Sequence, residues 1–552
     1  MDEQKNSVQM MLQWAAAKPN APWLLQPVAG QWKATSWAQG SDQVRRMAAA
    51  LKAMNWEPGS RICISGRNTA HWIMADLAIS MAGHVSVGMY PKQAAAITRY
   101  IFEHSEAKAV FLGPMPDADD FTGAIPDSVR TISFPYREAP AGQLTWDELV
   151  TATLPMAIED YQAPPPEALM TLIYTSGTTG KPKGVMLSYS NVLFAVYSIM
   201  NLAPSLGQER YFSYMPLAHA FERFAIALPS CYNGGEVHFL ENVDKMGEQL
   251  AQVAPTRFFG VPLVYGRIQT AILHKMPQQK LDRLMKIPLL RSIVRRKIRV
   301  AVGLQHVRFC LSGAAPIPAA LLDWYQRNLG LTVLQGYAPT EASVYSSACL
   351  PEQNRVGSVG KPPQNAGFKL SEDGEILFKH PGLMMGYYKD PDSTRAAFTE
   401  DGYLRTGDQG RVDEDGYLYI TGRVKDIFKT AKGKYVAPAP IECSLARNTD
   451  VENLLFIGNG MNQPVMAVTL TAAARSKPRA AVEQGLIDDM AAVNATLEPH
   501  EKIAKCVVLK DAWSIDNGLM TPTMKVKRSE VEKRYAGLME RELQVRSAVG
   551  WE

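Results

Sequence analysis

Apolar residues in the first 110 positions alternate between two spacings. From Ser41 to Met54 they recur at helical intervals, at Val44, Met47, Ala48, Leu51 and Met54, and Pro58-Gly59 then marks a turn. Arg61–Ser65 and Ala109–Leu112 are short apolar runs of strand length. Trp72–Met81 is apolar on nearly every side, which predicts a buried helix. Strands separated by helices predict an α/β sheet with helical crossovers.

Residues 113–166 are rich in Pro, Asp and Ala and end in Pro164-Pro165-Pro166, which predicts a surface segment. Beyond it, three apolar strands each run into a Gly-containing polar loop: 169–180, 307–316 and 331–343. Ligands of open α/β sheets bind beyond the carboxyl ends of strands, so these loops are expected to converge on one edge as a nucleotide site. After residue 368 the turns Asp373-Gly374, Asp401-Gly402 and Asp415-Gly416 separate short apolar runs, the signature of hairpins. The expected fold class is α/β. A large N-terminal region, 1–421, carries α/β sheets and a small β-rich subdomain at about 365–420, and a small α+β domain follows at 422–552.

Composition adds few constraints. The 552 residues are 46% hydrophobic and 20% charged, ordinary for a globular protein, and a net charge of +4 gives no electrostatic reason to expect nucleic acid. The six cysteines lie far apart with no CxxC pair, which argues against a zinc site or a disulfide framework and fits a reducing compartment. The N-terminal residues lack the apolar core of a secretory signal, and no apolar run is long enough to span a bilayer. A cytoplasmic location is expected, with peripheral attachment to the inner face of a membrane as the alternative.

The strongest chemical signal is the segment YTSGTTGKPKG, Tyr174 to Gly184. Its glycines let backbone amides approach an anion, its hydroxyls donate short hydrogen bonds to phosphate oxygens, and Lys181 and Lys183 add positive charge. The spacing is not that of a Walker A loop.

This loop resembles the phosphate-binding signature of the adenylate-forming superfamily, which includes acyl-CoA synthetases, luciferases and peptide-synthetase adenylation domains. Other segments resemble the family in the same order: Pro216 to His219 (PLAH), Ser312 to Pro316 (SGAAP), Gly336 to Glu341 (GYAPTE), Tyr403 to Asp408 (YLRTGD), Gly422 to Asp426 (GRVKD) and Pro522 to Lys525 (PTMK). PLAHAFER (216–223), IFKTAKGKYVAP (427–438) and LMTPTMKVKR (519–528) are similar to the long-chain fatty acyl-CoA synthetase branch.

The resemblance implies an ATP- and Mg²⁺-dependent enzyme that activates a fatty acid as acyl-AMP and then acylates coenzyme A, its C-terminal domain rotating between the two steps. It assigns Lys525 to the carboxylate and α-phosphate. Thr175, Ser176, Gly177, Thr178, Thr179, Gly180, Lys181, Lys183 and Thr340 fall to the phosphates, and Glu341 to the metal, a hard oxygen ligand suited to Mg²⁺. Gly313, Ala314, Ala315, Gly336, Tyr337 and Ala338 fall on the adenine side, Asp408 beside the ribose, and Arg423 beside the phosphate or the ribose. His219 is implied near the substrate carboxylate, and Lys429 reaches the site only in the second conformation, past the hinge at Lys425. Apolar residues between 191 and 265 are candidates for the acyl tunnel. One departure stands out: Ala338-Pro339 replaces the family's usual Gly and a non-proline residue, which threatens the loop geometry if that Gly supplies a positive φ. Readings with another acceptor or acid, a carrier protein or an aryl acid, stay open, as does a catalytically silent nucleotide-binding protein.

A basic stretch lies outside these motifs. No acid occurs between Asp282 and Asp323, while Lys286, Arg291, Arg295, Arg296, Lys297, Arg299 and Arg308 do, interleaved with Leu289, Leu290, Ile293, Val294 and Ile298. A solvated helix face and a contact with anionic lipid over 286–299 both fit this pattern.

Overall fold

The computed structural model describes residues 5–175, 181–205, 207–362, 366–521 and 525–552. Two eight-stranded sheets form the body. The first has at its centre the parallel strands Leu169–Thr175, Val85–Met89, Arg61–Ser65, Ala109–Leu112 and Arg130–Ser133, in that spatial order. The second holds, side by side and parallel, Val333–Tyr337, Phe309–Ser312, Arg257–Gly260, Arg210–Ser213 and Glu236–Phe239. The mixed α/β class is as expected.

The strands Arg61–Ser65 and Ala109–Leu112 have the predicted ends. The first predicted helix begins earlier, at Trp37, and runs to Ala53, because Ser36 and Gln39 form a capping box. Its Val44, Met47, Ala48 and Leu51 are fully buried. The second helix, Ala70–Met81, is capped by Thr69 and buried along almost its whole length, which explains its all-round apolar sequence.

Residues 113–166 are more than a surface segment. They add Arg130–Ser133 and Leu144–Thr145 to the edge of the first sheet, and a helix, Trp146–Ala152, whose Trp146 packs against Phe111 and Phe134. Strands of four and two residues are too short to show a period of two.

The β-rich unit is a four-stranded antiparallel sheet of Gly367–Leu370, Glu375–Lys379, Leu404–Val412 and Leu418–Arg423. Gly374, Gly402 and Gly416 of the three Asp-Gly turns have φ of 76°, 80° and 85°, a conformation open to glycine at no steric cost. After residue 423 come a two-stranded ribbon, a four-stranded sheet with separate hydrophobic clusters, and the helices Arg479–Asn494 and Arg528–Leu543.

Candidate active site

The three strand–loop segments do not share one sheet edge. Leu169–Thr175 belongs to the first sheet, Phe309–Ser312 and Val333–Tyr337 to the second. The two sheets meet instead along the loop that carries His219. Gly88 lies in the first sheet, and a Cβ built on it would stand 3.0 Å from the Cα of Ala218. Only glycine lets the backbones approach this closely without a shift.

Between the sheets, the β-rich unit and the C-terminal region lies a cleft of about 920 Å³. Thr175 and Lys183 line it from the first sheet, His219, Thr340 and Glu341 from the second, and Arg423, Lys425 and Lys525 from beyond. Residues hundreds of positions apart in sequence thus share one space. Ser176, Gly177, Thr178, Thr179 and Gly180 lie outside the described residues.

His219 caps the short helix Ala220–Glu222, its Nδ1 accepting from the Phe221 amide at 3.1 Å. That bond assigns the proton to Nε2. Burial, reinforced by the positive charge of Lys525, pushes the imidazole down to about 3, so it is neutral at pH 7.

The loop bearing His219 is anchored on both sides by buried polar groups. Asn68 accepts from the Leu217 amide and donates to the Met215 carbonyl, to Ser213 and to Glu222. Arg223 forms a two-pronged ion pair with Asp76, at 2.8 and 2.6 Å, and also donates to Thr171 and Ser86. Burial raises the Glu222 carboxyl to about 8, so it is mostly protonated at pH 7. Asn68 and Asp76 carry no sequence signal, since their partners in this network lie 145 to 154 positions away.

Glu341 faces the cleft from the turn Thr340–Ala342. Its Oε1 accepts from the Tyr387 hydroxyl at 3.0 Å, and its backbone carbonyl accepts from the Met384 amide at 2.7 Å. Ala338 keeps a negative φ, and Pro339 sits in an extended conformation as the cap of that turn, so the unusual Ala-Pro pair costs nothing through left-handed backbone. The left-handed positions come later, at Ser343 (φ 51°) and at the β-branched Val344 (φ 66°).

Asp408 accepts from Tyr337 Oη at 2.7 Å on one oxygen and from Arg423 Nε at 2.9 Å on the other. Tyr337 therefore reaches the carboxylate as well as offering a ring face. Gly313 follows the strand Phe309–Ser312 and Gly336 lies in the neighbouring strand, while Ala314 and Ala315 are exposed, Ala314 with φ 67°. Lys183 donates to Ser393 at 2.6 Å and stands over the Tyr387 ring. Lys181 and Lys429 stay out of the cleft lining. They are exposed, over the rings of Tyr100 and Tyr435 respectively.

Lys525 is tied to Thr521 by two bonds: Thr521 N donates to the Lys525 carbonyl at 2.8 Å and Lys525 N to the Thr521 hydroxyl at 3.1 Å. The residue is exposed and lines the cleft. Loss of water around it lowers its pKa from the usual lysine value, Arg423 lowers it further, and Asp408 and Glu341 act the other way. Among the described residues, two ion pairs tie the C-terminal region to the body, Lys92 to Asp516 and Arg267 to Glu452.

The profile of the AMP-binding enzyme family matches residues 11–388, and that of the AMP-binding enzyme C-terminal domain matches 425–543. The chain belongs to the AMP-binding enzyme family. It is 30% identical to the long-chain-fatty-acid–CoA ligase FadD15 of Mycobacterium bovis, covering 93% of each chain. It is 28% identical to fatty acyl-CoA synthetase A of Dictyostelium discoideum, over 93% of this chain and 86% of that one. Among AMP-binding enzymes of known structure, the adenylation domain of a carboxylate reductase from Mycobacterium chelonae superposes with a TM-score of 0.82 at 21% identity, covering 99% of this chain and 92% of that one. The o-succinylbenzoate CoA synthetase of Bacillus subtilis, solved with its acyl-adenylate, gives 0.72 at 23%, covering 96% and 99%. These two likenesses are of fold. With its curated relatives, this AMP-binding enzyme stands among the acid–CoA ligases.

Among the described residues no group of three His, Cys, Asp or Glu forms a metal cage, and no helix is long and apolar enough to cross a membrane. A single carboxylate, that of Glu341, in a cleft shared with Thr175 and Lys183 does fit Mg²⁺, which usually keeps its waters and takes substrate phosphates as ligands. The expected acyl tunnel is less evident. Of residues 191–265 only His219 lines the cleft, while Phe221, Phe259 and Tyr265 are packed into the core.

Proposed function

We propose that this AMP-binding enzyme is an ATP-dependent ligase that activates an apolar fatty acid and passes the acyl group to coenzyme A. The observation that carries this reading is Lys525, from the far end of the chain, standing in one cleft with Glu341 and within electrostatic reach of Asp408. The named fatty-acid ligases that resemble the chain over most of its length support the same substrate class.

In the first step a carboxylate oxygen attacks the α-phosphorus and the bond to pyrophosphate breaks. Both reactants are anions, so the site must align them and offset their charge. Lys525 is suited to bridge the two, and its lowered pKa rises again as anions bind beside it. The neutral His219 offers Nε2–H to the carboxylate without adding a charge. Asp408 receives the ribose hydroxyls, oriented by Tyr337 and Arg423. Glu341 would hold Mg²⁺, which when bound neutralises phosphate charge. In the second step the thiolate sulfur attacks the acyl carbon and AMP leaves. We assign the moving unit to residues 422–552, turning near Lys425 to bring Lys429 inward. The six unpaired cysteines, five of them buried, fit work in a reducing cytoplasm.

A second reading, a short or aryl acid as substrate, is favoured by the scarcity of residues 191–265 in the cleft. AMP release measured with Mg²⁺ and CoA across straight-chain acids and benzoate separates the two. Turnover that rises with chain length, needs CoA and collapses in Lys525→Ala supports the fatty-acid ligase. A maximum with benzoate overturns that substrate class, and AMP release independent of CoA overturns the acceptor.

A further inference from the structure

The helix Pro288–Ala301 has two apolar faces where a surface helix needs one. Its inner face, with Ile298 buried and Val294 partly buried, packs into the hydrophobic cluster that includes Leu281, Leu304, Tyr325 and Leu329. Two of its arginines also serve that attachment. Arg295 donates to the Arg327 carbonyl at 2.5 Å, and Arg299 to the carbonyls of Leu304 and Val307 at 3.1 and 3.2 Å.

The outer face is the anomaly. Leu289 is 75% exposed, Val300 49% and Ile293 45%, and Ile287 just ahead of the helix is 50% exposed. Leu289, Ile293, Arg296 and Val300 are spaced by four, three and four residues, so they form one stripe along the helix. Lys297 flanks this stripe and Lys286 lies just ahead of the helix, whereas Arg291, two residues on from Leu289, falls on the other side; all three are exposed. Among the described residues Lys286, Arg291, Arg296 and Lys297 have no acidic partner. The nearest acids in sequence, Asp282 and Asp323, lie outside the helix, and Asp282 is engaged by Gln278.

We propose that this helix is a docking face for a bilayer surface rich in anionic headgroups. Aliphatic side chains projecting between unpaired cations match the order of chemistry met at such a surface: the cations meet phosphate while Leu289, Ile293 and Val300 enter the acyl boundary. The helix is about 21 Å long and can lie flat but not span. A protein partner is less well matched, since none of the residues of this face is an aromatic anchor of the kind that centres an interface. The inference is independent of which acid the enzyme activates, because it concerns binding alone.

The test uses the full chain and sedimentation with vesicles of phosphatidylcholine, with and without phosphatidylglycerol. Wild type is expected to pellet with the anionic vesicles only, and less so as salt screens the charges. Lys286→Glu/Arg296→Glu/Lys297→Glu and, separately, Leu289→Asn/Ile293→Asn are each expected to weaken binding at least about tenfold, with AMP-forming activity in detergent-dispersed substrate unchanged. Melting curves check folding. If the triple variant melts early, Lys297→Glu and Leu289→Ser, both at exposed sites, carry the comparison. Failure of wild type to bind anionic vesicles overturns the proposal. So does equal binding by the folded variants, or capture by duplex DNA in place of vesicles.

Discussion

The hydroxyl of Tyr387 donates to Oε1 of Glu341 at 3.0 Å, across 46 positions of sequence, and among the described residues Oε2 has no hydrogen-bond partner. One oxygen of the carboxylate is thereby fixed in a residue that lines the cleft. Tyr387 is itself held by strand pairing to Val185, two residues after Lys183 of the cleft wall. Tyr387→Phe should therefore raise the Mg²⁺ concentration needed for AMP formation about tenfold, the effect of losing a hydrogen bond to a charged group. A parallel loss of Mn²⁺ affinity by magnetic resonance, in the presence of nucleotide, distinguishes this from general damage.

His219 offers a prediction in pH. Its folded pKa of about 3 lies below the ordinary histidine value of 6.5, so between these values the unfolded chain binds a proton that the folded protein refuses. Stability is thus lost as pH falls through that window. Glu222 acts at the other side: its carboxyl, raised to about 8, holds a proton that the unfolded chain releases above 4.5, so its contribution is lost as pH rises from 4.5 to 8. Imidazole ¹⁵N shifts should report a neutral Nε2–H ring down to about pH 4. Because Lys525 helps depress it, Lys525→Ala should move the His219 titration upward.

The Arg223–Asp76 pair should be costly to break. Asp76→Ala leaves a buried guanidinium without its carboxylate, a loss of roughly 3–5 kcal/mol, seen as a lower melting temperature. Its effect on activity should appear mainly in kcat, because the loop bearing His219 hangs from the same network. Asp76→Leu with Arg223→Met should recover much of the stability and little of the activity.

The contact between Lys92 and Asp516 joins the body to the C-terminal region in the arrangement that holds Lys525 in the cleft. Lys92→Ala should slow adenylate formation and spare or speed acyl transfer from preformed acyl-AMP. The exchange Lys92→Asp with Asp516→Lys should restore the first step, though Asp117 beside Lys92 will make the recovery partial. Single-turnover measurement of the two half-reactions checks this.

What the sequence discloses is uneven, for physical reasons. Lys525, Glu341 and Thr175 are readable because short contiguous motifs surround them, and the cleft does contain them. The helix Ala70–Met81 is readable because its burial leaves an apolar run. Asn68, Asp76 and Tyr387 leave no such trace: each works through one partner brought near only by the fold, and polar residues buried in this way look like any surface residue in a string of letters. Ala338-Pro339 misleads in the other direction. The strained backbone expected there sits instead at Ser343 and Val344, since the turn needs its left-handed residues after Glu341 rather than before it.

Gly88 has a consequence for anyone wishing to alter this molecule. It pairs with Ile173, in the strand that ends at Thr175, and on its other side touches Ala218, the residue before His219. A single missing methyl group is therefore the gauge that sets the distance between Thr175 and His219 in the cleft wall. Substitutions elsewhere in the cleft change what it holds, whereas a side chain at position 88 would change its calibration, moving both walls at once.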